Sequence, residues 1–361
     1  MIGLDDLRRF AIARSLFAPT TLRHAIDRLG FVQADPIRAP ARAQDLILRH
    51  RVKDYRAGDL ERRYPRLEIE EDFFVNYGFL PRAYQALMHP RARIGAWTPA
   101  TRKRAQALLE FVQAHSVVHP REVDAHFAHG NVTNFFGGSS NATTHLLNAM
   151  HYRGLLRVVR RDNGIRLYAA HLHPPAPADA AGRRASLDAL IDLAVQEYAP
   201  LPGASLTALV GRLRYGTPQW RNELNNALQR ARKRLAHART DGIDWYWPAA
   251  EQPHSARKPD DDTVRLLAPF DPVVWDRRRF ELFWAWSYRF EAYVPAPRRK
   301  LGYYALPILW RGQVLGWCNV TAKDRKLTHA TGYVDGQAPR DSIFRRELEA
   351  ELERMRMFLA L

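Results

Sequence analysis

The sequence predicts an α+β protein in which small helical domains, each closed by a β-hairpin, precede an antiparallel β-domain. Two observations carry this prediction. Three helices followed by strand occur twice between residues 100 and 250, the first time with a hairpin, and strand-like alternation replaces helical periodicity after residue 263. A chain of 361 residues, 46% of them hydrophobic, is long enough for about two to four domains.

The first segment, residues 1–99, is mainly helical by its apolar spacing. Helical periods are predicted over residues 4–16, 20–30 and 41–64. Between the last two lies Phe31-Val32-Gln33-Ala34-Asp35-Pro36. We expect this run to be extended, because Pro36 disfavours the helical conformation at Asp35.

The second and third segments, residues 100–175 and 183–250, repeat one order of elements. The predicted helices are 102–115, one that opens at Pro120, 142–152, 187–198, 206–213 and 219–237. The predicted strands are 155–159, 165–168 and 243–247. Asp162-Asn163-Gly164 contains the Asn-Gly pair that is typical of a tight hairpin turn. Helix, helix, helix, hairpin is the order of a winged helix, and the proline-rich residues 174–177 form a linker.

The last segment, residues 263–361, predicts a small antiparallel barrel or sheet that is followed by a helix. Alternating strands are expected at Tyr288–Val294, Tyr303–Leu309, Val314–Val320 and Leu327–Tyr333. An amphipathic pattern from Arg340 to Leu361 predicts the closing helix.

The charge balance indicates a polyanionic partner. Lys and Arg total 55 against 38 Asp and Glu, for a formal net charge of +17. Such a surplus favours nucleic acid, because each neutralised phosphate releases a condensed counterion; a basic enzyme without that partner is the alternative. Cys318 is the one cysteine, which excludes an internal disulfide and a cysteine-based zinc cluster. No apolar run approaches the ~20 residues of a membrane span, so we expect a cytoplasmic protein.

Common cofactor and catalytic motifs are absent from the sequence: it contains no Gly-x-Gly-x-x-Gly, Walker loop, His-Glu-x-x-His or Gly-x-Ser-x-Gly. His115 and His119 lie four residues apart, and His171 and His173 lead into a linker. We interpret all four as surface histidines rather than metal ligands, since no nearby cysteine or acid completes a site. The sequence therefore predicts neither a metal nor a cofactor.

Gln33 and Asp35 form the strongest local chemical signal. In an extended chain, side chains at i and i+2 share a face, roughly 7 Å apart. That spacing resembles the gap that inverting glycosidases leave between two carboxyl groups to admit a water. The pair can bracket a water, with Asp35 taking its proton and Gln33 holding it. The alternative is that Asp35 caps the following turn and Gln33 lies on the surface.

The chain resembles the YcaQ/AlkZ family of bacterial winged-helix DNA glycosylases over nearly its whole length. The most specific motifs are Leu266–Arg279, Tyr288–Lys300 and Gly302-Tyr303-Tyr304. The Gln-x-Asp motif and the hairpin at 155–168 also fall where the family has them. The resemblance implies three tandem winged-helix domains (1–99, 100–175 and 183–250) followed by a small antiparallel β-barrel domain with a C-terminal helix (263–361).

The resemblance also implies an activity and its residues. It implies a monofunctional DNA glycosylase of the Gln-x-Asp branch, in which Gln33 and Asp35 are catalytic. Expected substrates are N7-alkylguanine adducts and interstrand cross-links in double-stranded DNA, bound by a monomer. Expected DNA contacts are Arg38 and Arg42 near the motif, Arg157 and Arg160 on the wing, Arg277, Arg278 and Arg279, and Arg298, Arg299 and Lys300 on a predicted hairpin turn.

Two alternatives come from different functional classes. A non-catalytic winged-helix regulator or architectural DNA binder is favoured by Val75-Asn76, which stands where many family members carry His-Glu. Against it, the chain shows neither a ligand-sensing domain nor a coiled-coil segment. A basic enzyme that acts on small nucleosides is the second alternative, and it predicts little salt-dependent affinity for DNA.

Overall fold

Helices form where the sequence spaces apolar residues three and four apart. In the computed structural model, which describes residues 2–91, 95–133, 138–173, 179–255 and 262–361, the helices are α1 (Leu4–Ser15), α2 (Leu22–Leu29), α3 (Ala43–Leu48), α4 (Asp59–Arg63), α5 (Arg82–Leu87), α6 (Pro99–His115), α7 (Pro120–Phe127), α8 (Ala142–Arg153), α9 (Ala180–Tyr198), α10 (Gly203–Arg212), α11 (Leu224–Arg234), α12 (Pro272–Trp275), α13 (Arg277–Trp284) and α14 (Ser342–Leu359). None of these described helices is long and apolar enough to cross a membrane.

The strands are short and mostly paired as hairpins. They are β1 (Val32–Gln33), β2 (Ile69–Phe73), β3 (Tyr77–Pro81), β4 (Asn131–Thr133), β5 (Ser139–Asn141), β6 (Leu156–Asp162), β7 (Ile165–Ala170), β8 (Leu201–Pro202), β9 (Ala236–Thr240), β10 (Ile243–Trp247), β11 (Arg265–Leu266), β12 (Leu306–Trp310), β13 (Gln313–Lys323) and β14 (Lys326–Tyr333). Short 3-10 turns lie at Tyr64–Arg66, Pro218–Glu223, Pro253–Ser255 and Ala296–Arg298.

The predicted order of three helices and then a hairpin is confirmed in the second segment, and in the third segment the three helices and the closing strand at 243–247 are confirmed. Helices α6, α7 and α8 precede the antiparallel pair β6–β7, and α9, α10 and α11 precede β9–β10. The turn between β6 and β7 places Asn163 at φ 49° and Gly164 at φ 86°. Positive φ at both residues is what a type I′ turn requires, and Asn and Gly tolerate it best.

Contacts between Cα atoms divide the chain into two compact units. One unit comprises Met1–Asp59, Ile191–Val210 and Leu228–Leu361, and the other comprises Leu60–Leu190 and Gly211–Ala227. The fold mixes helix and sheet, as the sequence predicts. The composition of three winged helices and a barrel, with bounds at 1–99, 100–175, 183–250 and 263–361, stays a prediction.

Within the first unit, α1 packs on the C-terminal β-domain. Strands β11, β12, β13 and β14 pair antiparallel in that order. Along β13 alternate side chains are buried, because successive residues of a strand face opposite sides. The core cluster joins α1 to the last segment; its members include Ile12, Leu267, Val274, Phe280, Tyr288, Ala305 and Leu309.

Three local predictions are wrong. Residues 288–294 form no strand, because buried Tyr288 and Glu291 anchor an irregular loop there. The helix predicted to reach His237 ends at Arg234, and the next residues form β9 as the partner of β10. The segment Arg298-Arg299-Lys300 follows a 3-10 turn rather than sitting between paired strands.

A buried ion pair connects distant segments of the first unit. Arg51 and Asp271 are both 0% exposed, and two guanidinium nitrogens of Arg51 donate to the two carboxylate oxygens of Asp271 at 2.8 and 3.0 Å. Arg51 also donates to the carbonyl oxygens of Ser15 and Ile47. The Asp271 carboxylate in turn accepts the backbone N–H of Val273 and caps α12. One charged group thus joins the ends of α1 and α3 to α12.

We expect Asp271→Asn to lower the free energy of unfolding by about 3–5 kcal/mol, because it leaves the Arg51 charge buried without its counter-charge. Asp27→Asn is the matched control, since it breaks the exposed Arg23–Asp27 pair and should cost at most about 1 kcal/mol. Chemical denaturation of both variants measures the difference. Equal losses would contradict a structural role for the buried pair.

Candidate functional site

Gln33 is buried and its amide has a fixed orientation. It is 3% exposed, and its Oε1 accepts a hydrogen bond from the indole Nε1 of Trp275 at 2.9 Å. The indole of Trp275 stacks on Tyr198 with ring centroids 4.3 Å apart. Because an indole nitrogen only donates, the oxygen of Gln33 must face Trp275 and the NH2 group must point away from it. Gln33 therefore acts as a donor toward any ligand on that other side.

Asp35 follows two residues later and is partly exposed. Its Oδ1 accepts the backbone N–H of Ile37 at 2.9 Å, a local Asx turn. Burial raises the pKa of the Asp35 carboxyl, and the hydrogen bond from Ile37 opposes part of that shift. The capping role that the sequence offered as an alternative is thus present, although Gln33 is buried rather than on the surface. Raised basicity suits a group that accepts a proton from water.

Two tyrosines to which the sequence analysis gave no role lie within electrostatic reach of Asp35, and both pack against Phe290. The ring of Phe290 packs edge-on against the rings of Tyr304 and Tyr293, with centroid separations of 5.2 and 6.0 Å. Besides burial, the Asp35 carboxylate raises the pKa of both tyrosines, so both lie within its electrostatic reach. Tyr293 is 76% exposed, whereas Tyr304 is 3% exposed. Both tyrosines lie in the motifs that resemble the family, and that position could have marked them as site residues. The sequence analysis treated them only as parts of predicted strands.

The basic loop, defined here as residues 291–302, presents cations on a constrained backbone. The buried carboxylate of Glu291 accepts the backbone N–H groups of Lys300, Leu301 and Gly302 at 2.9, 2.7 and 3.3 Å. Arg299 donates to the carbonyl oxygen of Val294 and lies over the ring of Tyr303 at 4.9 Å. The side chains of Arg298 and Lys300 are exposed. The loop is therefore suited to phosphate contact.

The three arginines after Trp275-Asp276 have different environments. Arg279 is 0% exposed and its guanidinium donates to the carbonyl oxygens of Tyr198 and Pro272. Arg277 donates to Val274 O at 2.5 Å and Pro269 O at 2.8 Å. The structure thus uses Arg277 and Arg279 to hold backbone and does not place Arg279 for DNA contact. Arg278 is exposed and lines a surface groove with Arg232 and Gly203.

The predicted contacts near the motif also differ in exposure. Arg38 is exposed, and Arg42 is partly buried where α3 begins. Burial raises the pKa of Asp45, and the charge of Arg42 is among the groups that oppose this shift. Arg42 therefore lies within electrostatic reach of Asp45, while Arg38 is open to solvent.

In the second unit, acidic residues of β2 pair with arginines of β6 and β7. Arg157 donates to Glu70 at 2.6 Å, and Arg161 binds Glu71. Burial acts to raise the pKa of Glu71, but Arg161, Arg166 and Tyr77 outweigh it and lower the value to about 2. Arg157 thus has a carboxylate partner, whereas Arg160 is exposed.

The remaining carboxylate of that run, Asp72, is also committed to ion pairs. It accepts His89 Nε2 at 2.6 Å and Arg91 Nη1 at 2.8 Å. Burial acts to raise the pKa of Asp72. Arg91 and His89 outweigh burial and lower this pKa far below the ordinary range. These ion pairs make the acids of β2 structural groups.

The two histidine pairs named in the sequence analysis lie in different surroundings. His119 caps α7 by accepting the backbone N–H of Arg121 at 3.0 Å, and His115 Nδ1 bonds Phe111 O at 2.8 Å. His171 and His173 are half-buried rather than on the surface, and they form an edge-on pair with ring centroids 4.0 Å apart. Over the described ranges, no group of three or more His, Cys, Asp or Glu residues has a metal-binding arrangement.

Comparison with known proteins shows which family and which fold this chain resembles. The family model described as DNA glycosylase AlkZ-like matches residues 26–358. Among solved structures, the Streptomyces sahachiroi DNA glycosylase AlkZ superposes with a TM-score of 0.62 at 14% sequence identity. That match covers 99% of this chain and 96% of the other chain. At this identity the structural likeness shows the fold alone.

We expect the Asp35 carboxyl to take up its proton at a higher pH than an ordinary aspartate, whose pKa is about 3.9. Burial disfavours the charged form, and the Ile37 N–H offsets only part of that cost. NMR of the carboxyl carbon in ¹³C-labelled protein measures the midpoint, and the spectrum of Asp35→Asn assigns the signal. A midpoint at or below the ordinary value would contradict this environment.

Proposed function

The chain belongs to the AlkZ-like DNA glycosylase family, and from that premise we propose that it hydrolyses the N-glycosidic bond of N7-alkylguanine in double-stranded DNA. The same reaction at a cross-linked guanine would unhook an interstrand cross-link. Membership makes the chain a DNA glycosylase and decides against the alternatives of a non-catalytic regulator and a nucleoside enzyme. We propose that it acts as a monomer on nucleoid DNA in the cytoplasm.

The lesion itself determines which catalytic groups are needed. Alkylation at N7 leaves guanine cationic, so the electron pair of the breaking C1′–N9 bond neutralises the departing base and no general acid is required. The enzyme must supply a positioned water, a base for its proton, and negative charge near the sugar as oxocarbenium character develops. Two polar side chains are enough for these tasks.

We assign those tasks to Gln33 and Asp35. The NH2 group of Gln33, turned away from Trp275, donates to the oxygen of the water. Asp35 accepts the water proton as the oxygen bonds to C1′, and before that transfer its carboxylate stabilises positive charge on the sugar. The observation that carries this proposal is the fixed amide of Gln33 two residues before a carboxyl whose pKa is raised.

A water nucleophile is favoured over an amine. A bifunctional glycosylase forms a Schiff base through an amine, usually one whose pKa is lowered by burial or a neighbouring charge. Lys53 is the one lysine among the first hundred residues, and its side chain is exposed. We therefore propose an abasic product without strand cleavage.

The DNA contacts that we propose are exposed cations together with the half-buried Arg42 and Arg299. They are Arg38, Arg42, Arg160, Arg278, Arg298, Arg299 and Lys300. Three of these cations lie in the basic loop, which also contains Tyr293, a residue within electrostatic reach of Asp35. Phosphate contacts of this kind position the duplex and carry no base information.

We expect Asp35→Asn to slow excision of N7-methylguanine by about 10²- to 10⁴-fold, the usual cost of losing a general base. Gln33→Ala should also slow excision, but less, since a displaced water can still reach Asp35. Single-turnover assays with alkaline strand scission and a denaturing gel measure both rates. Before alkali is added, the gel should show no cleavage.

Asp54→Asn is the control, because it removes one carboxylate from an exposed position of the same segment and should excise at the wild-type rate. Asp35→Asn should remain as stable as the wild type, since the ionised carboxylate is the form that burial disfavours. A folded Asp35→Asn protein with wild-type activity would overturn the site assignment.

Reversing the charge of Arg298, Arg299 and Lys300 to Glu should weaken duplex binding for every sequence alike. The slope of log affinity against log salt should fall by about three, if each residue neutralises one phosphate. Lys323, Arg325 and Lys326 provide a control with the same change of charge on the exposed β13–β14 turn. Fluorescence anisotropy over a salt series measures both slopes, and equal slopes would show that net charge alone is responsible.

A further inference from the structure

The hydroxyl group of Tyr304 is buried without a protein partner. The side chain is 3% exposed, and its oxygen makes no hydrogen bond within the described part of the chain. Leaving a buried hydroxyl unsatisfied costs about 1–3 kcal/mol, so such groups usually bind water or a ligand. The neighbouring Tyr288 differs, because its buried hydroxyl donates to the carbonyl oxygen of Ala305 at 2.7 Å.

The position of Tyr304 points to the site of Gln33 and Asp35. Its ring packs edge-on against Phe290 at 5.2 Å, which fixes the plane of the ring. Burial and then the Asp35 carboxylate raise the pKa of the Tyr304 hydroxyl, so the oxygen lies within electrostatic reach of that carboxylate. The two groups do not bond directly, since the Asp35 hydrogen bond in the structure is with Ile37. A small molecule between them would satisfy both.

The hydrogen-bond geometry of a buried water provides a specific role. A buried water typically makes about three hydrogen bonds. Gln33 donates to the oxygen, and Asp35 accepts one hydrogen, which leaves the second hydrogen without a partner. A tyrosine oxygen accepts as well as donates. With three such partners, one lone pair of the water stays available to attack C1′.

We propose that the Tyr304 hydroxyl accepts the second hydrogen of the water held by Gln33 and Asp35, and thereby positions it for attack. This inference rests on the function proposed above. Tyr304 is then a positioning residue, since it acts through the water and receives no proton in the reaction.

Tyr304→Phe tests the proposal, because it removes the hydroxyl and keeps the ring. We expect single-turnover excision to slow about 3- to 10-fold, the equivalent of one net hydrogen bond, with unchanged affinity for lesion-containing duplex and an unchanged melting temperature. Tyr288→Phe is the matched control. It loses a bonded buried hydroxyl, so it should melt at a lower temperature and excise at the wild-type rate.

A double-mutant cycle separates positioning of the water from contact with DNA. In the Asp35→Asn background, Tyr304→Phe should cause no further loss, because both substitutions act on the same activated water. The role of Tyr304 alone would be overturned if the rate losses of the two single variants multiplied in the double variant. It would also be overturned if Tyr304→Phe excised at the wild-type rate while Asp35→Asn was inactive. Wild-type activity of Asp35→Asn would instead overturn the proposed site.

A crystal structure of the unbound wild-type protein provides a readout that needs no activity. An ordered water should lie within hydrogen-bond distance of both the Tyr304 oxygen and the Asp35 carboxylate, and it should be lost or displaced in Tyr304→Phe. An ordered site without such a water would refute the proposal, even if the protein excises bases.

Discussion

The buried pair of Arg51 and Asp271 is the interaction on which the geometry of the site depends. Moving two charges out of water costs several kcal/mol for each ion, and here a two-point bond and further carbonyl acceptors offset that cost. Asp271 caps α12, and α12 ends at Trp275, whose indole orients Gln33. The ion pair therefore anchors the N-cap residue of the helix whose last residue donates to Gln33.

Net charge overstates how many cations this protein can offer to DNA. Arg51 and Arg279 are fully buried, and both bind backbone carbonyl groups, for which the five donors of a guanidinium are well suited. Arg157 is neutralised by Glu70. The cations left at the surface, such as Arg298 and Lys300, lie on a loop whose backbone is held by one buried glutamate. Exposure, rather than the count of basic residues, locates the DNA-binding surface that we propose.

The segment in which this chain departs from the usual family pattern lies in a hairpin of the second unit. Phe74 and Val75 are buried in the turn between β2 and β3, and Asn76 Oδ1 accepts the N–H of Tyr77 at 2.9 Å. Just before this turn, Glu71 and Asp72 are held by arginines. Val75-Asn76 is therefore part of a packed hairpin, so its side chains support the turn where a His-Glu pair would place two titratable groups.

The sequence by itself determined the local structure and the candidate pair. The Asn163-Gly164 turn, the helix order and the extended run at Gln33 follow from backbone preferences of single residues and from apolar periodicity, which act over a few positions. Hairpin β2–β3 was missed because a run of buried acids shows no alternation, and its stability comes from arginines about 20 to 95 residues away. Tertiary structure alone decided the orientation of the Gln33 amide, the burial of Arg279 and the position of Tyr304. Each depends on side chains that lie tens to hundreds of residues apart in the chain, and local sequence preferences carry no information about such contacts.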